Sequence, residues 1–87
     1  MYNYETEKPN LFTDDGQRMF LAIRDNVKAI LPKAGCVRMD KATDVGIGGE
    51  SWTMLACVDR MVELRELREI PQPNIAGQHR IFIAYNA

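Results

Sequence analysis

The chain has 87 residues, enough for one domain with a hydrophobic core of modest size. Eleven Lys and Arg against twelve Asp and Glu give a formal net charge of −1, so no basic surplus exists to hold a polyanion, and any DNA affinity has to come from gathering cations on one surface. No apolar run approaches the roughly 20 residues that span a bilayer, and the polar start "MYNYETEKPN" lacks the apolar core of a secretory signal, so no membrane contact and a cytoplasmic location are expected.

Residues 1–12 read as an extended N-terminal arm ahead of a domain over 13–87. Pro9 and Asn10 discourage helix, and the arm is either a frayed tail or a segment whose Tyr2 and Tyr4 pack on the domain or a partner. "TDDGQRMFLAIRDNVKAIL" then predicts a helix. The Thr13 hydroxyl can accept from an orphan N–H one turn in, and Asp14 and Asp15 set negative charge at the positive end of the helix dipole. Phe20, Ile23, Val27, Ile30 and Leu31 form one apolar stripe. Pro32 disfavours helical geometry at Leu31, so the helix is expected to end near there, with Gly35 closing the turn.

"CVRM" is a short extended candidate. "DKATDV" has the length of a brief helix with Asp40 as its N-cap, and "GIGG" breaks the chain. The glycines are not a phosphate cradle, because no Lys-Ser/Thr pair or dinucleotide fingerprint accompanies them. Glu50 or Ser51 opens a second long helix. One side is expected to carry Met54, Val58, Met61, Val62 and Arg65 with Leu55, Cys57 and Leu64 on its flanks, as a wide buried arc, and the opposite side Trp52, Thr53, Ala56, Asp59, Arg60 and Glu63. "ELREI" and "HRIFIAY" read as two strands joined by a loop over "PQPNIAGQ". In the last strand Ile81, Ile83 and Tyr85 share one face, while Arg80, Phe82 and Ala84 share the other. Phe82 makes that second face partly apolar, which leaves it for the arm or a second subunit to cover.

The order of long helix, short extended piece, short helix, glycine turn, long helix and hairpin resembles the winged helix-turn-helix family. The resemblance covers roughly residues 13–85. It is carried most specifically by "TMLACVDRMVELRELREI" with "GQHRIFIAY" behind it, similar to the family's run from recognition helix into wing. It departs from the family at Arg65, where many members have glycine, which suits the left-handed backbone of a helix end better. The fold class implied is α+β, predominantly helical, with a C-terminal β-hairpin wing. The function implied is that of a small, dimeric, transcriptional-regulator-like protein that binds double-stranded DNA. Its second long helix would enter the major groove through Ser51, Trp52, Thr53, Ala56 and Arg60. The wing would meet the backbone or minor groove through Gln78, His79 and Arg80, with Arg68 on the partner strand. Glu50 would repel a phosphate approaching the helix start.

Each of these residues also has a plainer reading. Arg60 on a helix face is commonly a solvated charge paired with a neighbour such as Asp59 or Glu63. Trp52 is more often a packing residue than a base-stacking one, His79 a solvated strand residue, and Met54 and Met61 core fillers. A second function class is therefore a protein-protein interaction module on a winged-helix scaffold, with Trp52 and the mixed-charge stripe as its contact surface. Catalysis is not expected. Cys36 or Cys57 with His79 forms no recognisable nucleophile–base motif. Two cysteines and one histidine, widely spaced, fall short of the four ligands of a structural zinc, and no cofactor is expected.

Overall fold

The computed structural model describes residues 1–75 and 77–87; Ala76, in the expected hairpin loop, lies outside the described residues. The chain folds as α1 (Tyr4–Glu7), a 3-10 turn (Lys8–Phe12), α2 (Asp14–Ala34), β1 (Val37–Arg38), α3 (Met39–Ala42), α4 (Ser51–Glu63), β2 (Leu67–Ile70), a second 3-10 turn (Gly77–His79) and β3 (Ile81–Ala84). This is a compact α+β fold with one antiparallel three-stranded sheet in the order β1-β3-β2.

The start of α2 follows its sequence signals. Thr13 Oγ1 accepts from Gly16 N–H at 3.0 Å, and Asp14 and Asp15 lie in the first turn. Gly16 is required for packing. A Cβ there would meet the Asn10 carbonyl oxygen at 2.0 Å, so the first turn of α2 rests directly on the backbone of the 3-10 turn. The expected stop near Leu31 is corrected, because the helix runs through Pro32 to Ala34. Pro32 removes the N–H that would bond the Lys28 carbonyl, and only Lys33 and Ala34 follow it before the helix closes. Gly35, at φ 77°, then closes the end with its N–H on the Leu31 carbonyl.

α3 begins at Met39 with Arg38 at the N-cap position, not Asp40. Asp40 pairs instead with Arg38, at 2.6 Å. Glu50 caps α4, its carboxylate accepting from Thr53 N–H at 3.0 Å. The far end of α4 closes with Arg65 N–H on Val62 C=O and Glu66 N–H on Met61 C=O, which holds Arg65 at φ 61°. That is the glycine-type helix end, made here with an arginine.

The sheet differs from expectation in two ways. It has a third strand, since β1 pairs with β3 through Val37↔Phe82 and Arg38↔Ile81. Its inner face is also the opposite one. Phe82 is fully buried with Val37 and Leu67, whereas Ile81 and Ile83 are only half-buried. The register explains this. β2 pairs with β3 through Leu67↔Ala84 and Glu69↔Phe82, so Leu67, Phe82 and Val37 share the face turned to the helices. Phe82 is thus a core residue and offers nothing to a second subunit. Around it gather Ile23 and Val27 of α2, Met39 of α3, and Cys57, Val58 and Met61 of α4.

Candidate functional site: the outer face of helix α4

The N-terminal arm is neither extended nor frayed. It forms a turn of helix and a 3-10 turn, both in contact with α4. Asn3 caps α1, its side chain accepting from Thr6 N–H, and Pro9 sits at the start of the 3-10 turn, where its missing donor matters least. Leu11 anchors the segment in the core, whereas α1 contains no buried residue.

What holds α1 on α4 is a set of polar contacts. The Tyr2 hydroxyl donates to Asp59 Oδ2 at 2.6 Å, and the Tyr4 hydroxyl to Glu63 Oε1 at 2.8 Å. Lys8 Nζ reaches Glu63 Oε2 at 2.7 Å, and Arg60 reaches Glu63 Oε1 at 2.7 Å. Phe12 lies under the Arg60 guanidinium, 5.4 Å from its ring centre, in a cation–π arrangement. The two tyrosine rings also pack against the core. Burial, reinforced by the neighbouring carboxylate, pushes both phenols well above their ordinary value and keeps them protonated donors. Donation from Lys8, Tyr4 and Arg60 pulls the Glu63 carboxyl down to about 2.

Beside this lies a second network. Arg80 donates to Asp59 Oδ1 at 2.7 Å and to Glu69 Oε1 at 2.8 Å, and its guanidinium sits 5.2 Å from the Phe82 ring centre. Hydrogen bonds to Glu69 and Asp59 push its pKa further up. Asp59 therefore receives the N-terminal segment on one side and the sheet on the other. Tyr2, Tyr4, Asp59, Glu63 and Arg80 line an open cleft of about 590 Å³ where these pieces meet.

The residues expected to face DNA are distributed differently. Thr53 and Ala56 are corrected from exposed to buried, at 7% and 0% exposure. The Thr53 N–H and hydroxyl both turn to Glu50, and Ala56 lies in the core cluster. Arg60 and Arg80 are tied to carboxylates, and Arg68 Nη2 donates to the Ala87 carbonyl at 2.6 Å. Ser51 and Trp52 are exposed at the start of α4, as expected. Gln78 and His79 are exposed as well, in a 3-10 turn beside α3, so His79 lies outside the strand in which it was expected. The Glu50 carboxylate occupies the helix start that a phosphate would need.

Sequence reasoning took Asp59 and Glu63 as local charge partners of Arg60, a pairing that Glu63 makes, and missed that both receive the N-terminal segment. The available signal was the Tyr-x-Tyr spacing of Tyr2 and Tyr4. Among the described residues no three His, Cys, Asp or Glu side chains converge as a metal-binding group, and no helix is long and apolar enough to cross a membrane. Comparison with protein-family models, with curated proteins and with solved structures found no match.

Proposed function

We propose that the chain is a protein-interaction module on a winged-helix-like scaffold, and that the outer face of α4 is its contact surface. The scaffold reading rests on the element order from α2 to β3, helix, strand, helix, helix, strand, strand, with β1 beside β3. The observation that carries the functional reading is the hydrogen-bonding polarity of α4. Its outer face presents the acceptors Asp59 and Glu63, already served by tyrosine hydroxyls and cationic side chains. DNA phosphates are also acceptors and anions, so this face mismatches them in both respects. Peptides carry hydroxyl and ammonium donors, and aromatic and basic residues are the usual anchors of protein interfaces.

The alternative is DNA binding from the other end of the molecule. One arrangement favours it: α3 meets the Gly77–His79 turn, which brings Arg38 and Lys41 to the same end as the exposed Gln78 and His79. Asp40 offsets part of that charge through its pair with Arg38. A salt titration against random duplex DNA separates the two readings. The interaction module shows no retention even at low ionic strength. Retention that weakens steeply with added salt, and is lost in Lys41→Ala, would establish the DNA reading instead.

A further inference from the structure

The N-terminal segment shows what chemistry fits the α4 face. We propose that the Asp59–Glu63 face of α4 is a docking site for a partner segment bearing two aromatic hydroxyls and one ammonium, and that residues 2–8 of the chain occupy it as an internal competitor. The proposal rests on the protein-interaction reading above and names the partner's chemistry.

Three observations carry it. First, complementarity is explicit. Tyr2, Tyr4 and Lys8 each donate to one of two carboxylates on successive turns of α4, at 2.6 to 2.8 Å. Second, the hold is uneven along the segment. Residues 2–8 include no fully buried residue, their Tyr2 and Tyr4 rings lying half-buried at the edge of the core, whereas Leu11 is 1% exposed and the turn that carries it rests against Gly16. In this proposal residues 2–8 lift while residues 9–12 stay seated through Leu11. Third, the face survives their departure. Asp59 keeps Arg80, and Glu63 keeps Arg60, so neither carboxylate is stranded when the donors leave.

A tethered segment of this length acts at an effective concentration on the order of millimolar. A partner must outcompete that, which sets a threshold against segments lacking the full donor set. Glu5 and Glu7 lie on the same segment and add no donor contact to α4. A partner with neutral or basic residues at those two positions would be better matched to an acidic face than the chain's own sequence is.

The test uses the full chain and a fluorescent peptide, YNYKTKK, which matches residues 2–8 except for lysines at positions 5 and 7. In Tyr2→Phe/Tyr4→Phe/Lys8→Ala protein, the internal segment keeps its rings and loses its donors. Anisotropy is expected to show at least tenfold tighter peptide binding to this variant than to wild type. Adding Glu63→Gln to the variant returns binding to the wild-type level, and a peptide with Phe and Ala at the donor positions does not bind. Tyr2→Phe/Tyr4→Phe alone, which leaves the Lys8 contact in place, serves if the triple variant folds poorly by circular dichroism, with a smaller gain expected. Equal affinity for wild type and a folded variant, or binding indifferent to Glu63→Gln, overturns the proposal. DNA retention in the salt titration would count against the interaction reading without changing the peptide result, so the two failures remain distinct.

Discussion

Arg65 shows how much one residue can be asked to bear. The end of α4 needs a left-handed residue to turn the chain into β2, and the two reversed hydrogen bonds at Arg65 and Glu66 fix that geometry. An L-residue with a Cβ pays about 1–2 kcal/mol for this conformation. Glycine removes that strain and costs about 0.4–1 kcal/mol in extra freedom of the unfolded chain. The Arg65 side chain is exposed, so little packing is lost with it. Arg65→Gly is therefore expected to stabilise the protein by about 0.5–1 kcal/mol, which for a domain of this size raises Tm by about 2–8 °C. A thermal melt checks this, and a lower Tm would mean that arginine makes a compensating contact.

At the scale of elements, the sheet decides which face of β3 matters. Phe82 is fully buried between Val37 and Glu69 in the ladder, while Ile83, one residue on, is half-exposed on the outer face. Phe82→Ala is expected to cost about 3–5 kcal/mol, as large-to-small changes in a packed core do. Ile83→Ala should cost less than half as much. Urea unfolding of the two variants orders them, and the reverse order would place the core on the isoleucine face. The strands and both long helices were legible because local periodicity writes them. The inner face of β3 was not, because two isoleucines and a tyrosine outweigh one phenylalanine by composition. The extended piece at "CVRM" was legible, but its pairing with β3, which reveals which side is covered, was not. The Thr13 and Gly35 caps of α2 were legible for the same local reason, and the start of α4 was narrowed to Glu50 or Ser51. The α4 face was legible as amphipathic but not as occupied. Tyr2 meets Asp59 across 57 positions and Arg80 meets it across 21, and no window of sequence holds such pairs. Ala56 and Thr53 were misplaced by the same blindness, since a helix contacted by α1, the first 3-10 turn, α2, α3 and β2 has no wide solvent side to predict.

Across the whole molecule, α4 is the element on which the others converge, and the two cysteines sample that arrangement from opposite positions. Cys57 lies on α4 with no exposed surface, and burial pushes its thiol up to about 12. Cys36 is exposed just before β1. Thiolate is the reactive form, so both access and ionisation protect Cys57 in the native state. Opening it requires separating α4 from α2 and from the sheet, which for a small domain means most of a global stability of about 5–15 kcal/mol. Labelling with a thiol reagent near pH 8 is therefore expected to proceed in two phases. Cys36 reacts at once, and Cys57 reacts slower by a factor on the order of 10³ or more, accelerating with urea in step with unfolding. The N-terminal segment should not govern the slow phase, because its detachment bares the outer face of α4 and leaves the α2 side closed. Equal slow rates in wild type and in Tyr2→Phe/Tyr4→Phe protein would locate the segment outside the cooperative core. A slow phase that quickens sharply in that variant would instead make residues 1–8 part of the fold itself, and a partner could then take their place only by unfolding the domain.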